Sequence, residues 1–581
     1  MELVSSIPRE LAVDPILNAV LLMAQVRGAP LPLPFDTRTH THKHTHTYVV
    51  QEEQEEQRMT AMKLMGELSF TLGPETVKNQ VSPQVVTLAG DIVLRVRHLP
   101  ECVLLLECVL SIQVVTLAGD AMFRVRKATA LHIGKICRWV PRDFAVDKIL
   151  PVYLTLAEDE IWGVRKACAE SIAAVAAALA ADVRKTTILP LFDKLATDVS
   201  RWVRNAAFQH LGPLIATLSA AEVTPKLLQY FASMATGKGQ AGNNDNELPT
   251  FCAYNFPAVV LTVGRDNWVH LEEAYTELLK DIQWKVRRTL SYSLHEIALI
   301  LGPKLTQDSL LPALDTFLKD LDEVKVGVVQ NLAKLLGAIE PAARQQYVPL
   351  LINLEMESDN WRFRHLLAIQ LGELFHLYDE EVIQTELYPI FMKLCRDPVA
   401  EVRNGSGLQL HAILKRLDEL KVSWRPEFVE ELQDLATDRL FQHRLIYAQM
   451  CITALQTIKE SEENKAPEAA NDIEMFKTDL LPHLLVLAED RVANIRQRAG
   501  ISLQLLKEIK GFKNDAKLAT ALAALTKDKD IEVLRSMGQK LQVGLTSCKH
   551  LGAYTQTRTP KPYLSSAWHF LSLYALGDSL S

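Results

Sequence analysis

The stretch Asp159-Glu-Ile-Trp162-Gly-Val164-Arg165-Lys-Ala167-Cys168 decides the fold. An aspartate opens a turn, and an aliphatic and an arginine follow five and six residues later. From there Val164, Ala167, Cys168, Ile172, Val175 and Leu179 fall on one face of a helix. Just upstream, Ile149-Leu150-Pro151 reads as the opening of a preceding helix, where a proline in the first turn has no N–H to lose. The unit recurs along the chain. Asp120, Asp198, Asp281, Asp397 and Asp490 lead in the same way to Arg126, Arg204, Arg287, Arg403 and Arg496. Asp320 and Asp359 close one residue sooner, on Lys325 and Arg364, and Asp438 keeps Arg444 with His443 in the aliphatic place. The proline-to-aspartate interval repeats at Pro190/Asp198, Pro312/Asp320, Pro389/Asp397 and Pro482/Asp490. A period of roughly 39 residues built from two helices is the mark of a helical repeat array. The expected fold is therefore all-α: a right-handed solenoid (α-α superhelix) of roughly ten to twelve antiparallel helix pairs.

The bounds agree. The chain has 581 residues, of which 48% are hydrophobic, enough for a continuous core shared between neighbouring repeats. With 63 basic and 70 acidic residues the formal charge is −7, which gives no general attraction to nucleic acid or to acidic membranes. The eight cysteines show no CxxC pair and read as reduced thiols of a cytoplasmic or nuclear protein. Residues 11–26 are apolar but lack a basic leader, and the run Cys102 to Gly119 is interrupted by Glu107; neither reads as a signal peptide or a membrane span.

Residues 1–51 are expected to be a disordered segment, 52–235 a first set of repeats, 236–247 a polar linker, 248–547 a second set, and 548–581 an irregular tail. Gln84 to Asp91 recurs verbatim at Gln113 to Asp120, an interval too short for one repeat, so 91–119 reads as a duplicated unit that breaks the stacking. Asp198 and Asp281 lie more than two periods apart, leaving room for one degenerate repeat and the loop Thr236 to Glu247. Glu460 to Ala470 reads as an extended loop between helices.

No catalytic constellation, phosphate-binding loop or HExxH appears, and neither cofactor nor metal is expected. Gly237, Gly239 and Gly242 match a glycine-rich turn, but helical flanks make them a flexible linker. His40, His42, His44, His46 and Tyr48 alternate in a way that suits neither a helix face nor a rigid tetrahedral site. Asn404-Gly405-Ser406 matches a glycosylation acceptor without the setting that would give it meaning. In the Asp/Arg ladder, each aspartate can cap the second helix and each arginine can bridge to the next repeat. Trp162, Trp202, Trp284 and Trp361 lie between turn aspartate and basic residue. They suit either interaction anchors or stacking onto the next turn. The candidate partner-binding set is thus Trp162, Arg165, Trp202, Arg204, Trp284, Arg287, Trp361 and Arg364.

The turns 159–170, 201–209 and 283–290, with Phe317 to Val324 and Asn360 to Arg364, resemble HEAT repeats of the family of regulatory subunit 1 of serine/threonine protein phosphatase 4, over about residues 52 to 540. The turns at Phe441 to Arg444, Pro482 and Asp490 to Arg496 also look like those of the protein phosphatase 2A scaffold subunit. The family's long acidic insertion is represented here only by Thr236 to Glu247. The resemblance implies a non-catalytic regulatory subunit that binds a phosphatase catalytic subunit along the turn edge and directs it to phosphoprotein substrates. A 2A-type scaffold and an importin-β-like transport receptor are the other readings.

Overall fold

The computed structural model describes residues 114–237, 247–464, 466, 469–512 and 515–538. Residues 1–51 with the histidine run, residues 52–113, Gly239 and Gly242, and the tail from 539, for which the sequence also carries expectations, lie outside these residues. Of the duplicated unit only 114–119 is described, and 114–118 is helical. Every regular element among the described residues is a helix. The chain divides into two compact units, the first ending at Leu290 and the second beginning at Ser291, so the division falls inside the helix Trp284–Leu301.

In the first unit, the helix Trp162–Ala177 shows why the repeat stacks. Val164, Ala167, Cys168, Ile172 and Val175 are fully buried and Leu179 nearly so. Small residues let helices approach closely: a Cβ on Gly134 would lie 2.6 Å from the Cβ of Ala174 in this helix. The degenerate repeat is built from Pro225–Ser233 and Leu248–Val263, joined by the ring contact Phe231–Phe256 at 5.7 Å. In the second unit the paired helices include Tyr388–Cys395 with Ala400–Gly407 and Arg425–Thr437 with Phe441–Glu463. A Cβ on Gly327 there would meet Ser291 Oγ at 2.1 Å.

Three expectations are corrected. The repeat prolines do not open the first helices. Before Pro151 the chain is already helical at Arg142–Phe144 and then widens into a π turn at Ala145–Ile149. The Leu150 N–H donates to the Ala145 carbonyl, one residue further back than in an α-helix. The same device precedes Pro190, Pro312, Pro389 and Pro482, at Arg184–Ile188, Thr306–Leu310, Ile383–Leu387 and Phe476–Leu480. A proline ring inside a regular helix clashes with the carbonyl four residues earlier, and the wider turn moves that carbonyl aside.

Secondly, most turn aspartates are not helix N-caps. Asp159 Oδ1 accepts the Ile161 N–H at 2.8 Å, Asp198 that of Ser200 at 2.7 Å, and Asp397 that of Val399 at 2.8 Å. The carboxylate thus folds the turn, while the following Ile161, Ser200 and Val399 hold the cap position without a side-chain bond. Thirdly, the segment expected as a loop from Glu460 is shorter, because one helix runs to Glu463 and the next starts at Ala469.

Candidate docking edge at the repeat turns

Each ladder arginine stands in the first turn of a second helix, with its side chain directed back at the turn. Arg165 Nη1 donates to the carbonyls of Asp159 at 2.7 Å and Glu160 at 3.1 Å. Its Nε and Nη2 then grip both oxygens of Asp198, one repeat on, at 2.7 and 2.9 Å. Arg126 holds Asp159 in the same fork at 2.6 and 3.1 Å. In the second unit Arg364 holds Asp397, Arg444 holds Asp490 and Arg496 holds Asp528. One guanidinium therefore ties its own turn to the next, using the five donors in fixed geometry. Burial alone pushes the Asp198 carboxyl up; the hydrogen bonds from Arg165 and the Ser200 N–H outweigh it, and the group sits below the ordinary 3.8. The hydrogen bond to Asp198 in turn raises Arg165.

This geometry divides the candidate set. Arg165 and Arg364 spend their forks on the array itself. Arg204 and Arg287 make the same backbone bonds, Arg204 to Asp198 at 2.6 Å and Arg287 to Asp281 at 2.6 Å. The indoles behave differently. Trp162 and Trp202 are 47% and 48% exposed, and their rings stack at 6.4 Å with a 30° interplanar angle. Trp162 thus stacks on the indole of the next repeat's turn, and both rings keep about half their surface open. Arg201 lies over the Trp202 ring at 4.5 Å. Trp284 is 37% exposed. Trp361, in the second unit, is half-buried, with His365 edge-on at 6.1 Å and Arg362 over the ring at 5.6 Å.

Other residues extend the pattern and were missed in the sequence. Met122 and Phe123, Ile161, Val199 and Ile282 are exposed apolar residues one to three positions after a turn aspartate, and Leu321, Leu440 and Phe441 repeat this in the second unit. The signal was available as an aliphatic or aromatic residue where a turn ordinarily carries polar side chains. Among the described residues no group of three or more His, Cys, Asp or Glu is placed to hold a metal ion, and no helix is long and apolar enough to cross a membrane.

Stacked helix pairs joined by such turns define a HEAT-repeat protein, and a HEAT-repeat family model matches residues 149–179. A second model, described as the protein phosphatase 4 regulatory subunit 1 middle domain, matches residues 252–354. The chain is similar to the serine/threonine-protein phosphatase 4 regulatory subunit 1 of Rattus norvegicus, 36% identical over 307 residues, which cover 51% of this chain and 31% of that protein. The Homo sapiens protein of the same name is 37% identical over 265 residues, covering 45% of this chain and 27% of its own. The chain thus spans about a third of the length of the curated relatives it matches, at most 31%. These matches fall on the family that the turns resemble. Among solved structures, yeast importin-β aligns with a TM-score of 0.49 and 14% identity, covering 91% of this chain and 69% of that one.

Proposed function

We propose that this chain is a non-catalytic regulatory subunit that binds a protein phosphatase 4-type catalytic subunit and directs it to phosphoprotein substrates in the cytoplasm or nucleus. The observation that carries this reading is the turn edge of the first unit. Its exposed Trp162, Trp202, Ile161 and Val199 are apolar where solvated turns are ordinarily polar. Half-exposed aromatic residues beside a guanidinium are the side chains that interfaces favour. The similarity to relatives named as regulatory subunits of that phosphatase supplies the partner class.

The test is calorimetric titration of the purified chain with the phosphatase 4 catalytic subunit, and with the 2A catalytic subunit in parallel. Trp202→Ala and Trp284→Ala each weaken binding by about 2 kcal/mol if the indoles are anchors. Melting temperature is read on the same samples. Unchanged affinity with lowered melting temperature would assign the indoles to stacking alone. Binding to the 2A subunit in preference would select the other scaffold reading.

A further inference from the structure

The ladder of the first unit contains a rung that no carboxylate among the described residues completes. Arg126 and Arg165 each reach a carboxylate 33 residues ahead, Asp159 and Asp198. The same interval from Arg204 lands on Gly237, just past the end of the repeat's first helix, as the two aspartates do. Gly237 has no side chain, and its backbone takes the left-handed conformation with φ 64°. Arg204 Nη1 makes the usual bonds to its own turn, with the Asp198 carbonyl at 2.6 Å and the Val199 carbonyl at 3.0 Å. Its Nε and Nη2 edge, which in Arg165 grips an aspartate, has no carboxylate partner among the described residues.

A half-buried guanidinium already anchored on one side is oriented for a second acceptor without further loss of side-chain freedom. The preceding rungs state the acceptor's chemistry: a carboxylate meeting Nε and Nη2 side by side. The surroundings suit a peptide that carries one. Val199 is 93% exposed, Trp202 48%, and Arg201 adds a second cation over the Trp202 ring.

We propose that Arg204 is the docking point for an aspartate or glutamate of a partner protein, whose neighbouring apolar side chain packs on Trp202 and Val199. The partner completes in trans the rung that Asp159 and Asp198 complete in cis. The proposal rests on the reading of these turns as a docking edge, and it names the chemistry recognised there.

The experiment uses the full chain and no phosphatase, so its result stands apart from the choice of catalytic subunit. The probe is a fluorescein-labelled peptide of Gly-Asp-Leu repeats, with a Gly-Asn-Leu peptide as control, followed by anisotropy. The aspartate peptide should bind more tightly by about tenfold, the scale of one charge-assisted bond pair. Arg204→Gln removes this difference, but it also removes the bonds to the turn carbonyls. Gly237→Asp keeps Arg204 and offers it a carboxylate in cis. It should abolish the peptide preference and melt higher than Gly237→Asn, which matches its size, suits the left-handed backbone equally and lacks the charge. Gly237→Asn should retain the preference. Equal binding of both peptides to the unaltered chain, or a preference that survives in Gly237→Asp, would overturn the proposal.

Discussion

At the residue scale the array is held by groups that serve two repeats at once. Arg165 is the type case, and Glu222 is a variation on it. Glu222 lies 6% exposed, takes both Nε and Nη2 of Arg184 at 2.8 and 2.9 Å, and accepts the Ser219 N–H at 2.8 Å. Burial opposes its charge, yet Arg184 and Ser219 prevail and lower its pKa from 4.5 to about 2. A carboxyl depressed in the folded state stabilises the fold above its ordinary value and loses that contribution as pH falls through the depressed one. Stability should therefore decline between pH 4.5 and about 2, and Glu222→Gln should be less stable at neutral pH with a shallower decline over that window. Urea midpoints measured across the acid range check both parts. Gln370 shows what the sequence could not display. Its Oε1 accepts the Ala333 N–H at 2.9 Å and its Nε2 donates to the Val329 carbonyl at 2.8 Å, where the neighbouring second helix is interrupted. Gln370→Ala leaves a buried donor and acceptor unpaired and should cost about 2 kcal/mol in chemical denaturation. The aspartate and arginine of each rung could be read because their spacing is periodic. Gln409 stands one period further on, but the role of Gln370 depends on a break in another helix, which the spacing of glutamines does not reveal.

At the element scale the repeat prolines carry the main lesson. Their regular spacing was legible, and the helix pairing followed from it. Their place within the helix was not, because a proline in a helix reads as a beginning or an end. The π turn before each one removes the conflict by adding a residue, which rotates the preceding helix by about 100° relative to the following one. The buried residues on both sides, such as Thr306 and Leu310 before Pro312 and Leu314 and Phe317 after it, are packed in that rotated register. Removing the ring alone does not undo the rotation. Pro312→Ala should therefore change stability by less than about 1 kcal/mol, against ~3 kcal/mol for a proline in a regular helix. A gain near the larger figure in a denaturation curve would show that the π turn is strain rather than fit. The turn edge was legible through its tryptophans. The exposed aliphatics beside them are not legible in the same way, because an apolar residue near a helix start is as compatible with the core as with the surface.

At the scale of the whole molecule, the core of each unit is drawn from every repeat within it, and the thiols record this. Cys137, Cys168, Cys252, Cys395 and Cys451 are all free and buried. Burial pushes the Cys137 thiol up to about 12 and raises the other four as well, which keeps them protonated and unreactive. Peptide mapping after exposure to a thiol reagent should find none of the five labelled in native buffer and all five labelled in denaturant. Labelling confined to one of them would locate a repeat that opens before its unit does. The bidentate pairs have a further consequence. From Arg126 to Asp159, through Arg165 to Asp198 and on to Arg496 and Asp528, the arginine always belongs to the earlier repeat and the carboxylate to the later. The coupling is a hook on one side and an eye on the other, so a repeat cannot be turned round. Over evolutionary time such a gene can lengthen, shorten or recombine by whole units that keep hook and eye in step. A crossover falling at any other interval leaves both ends of the joint without a mate.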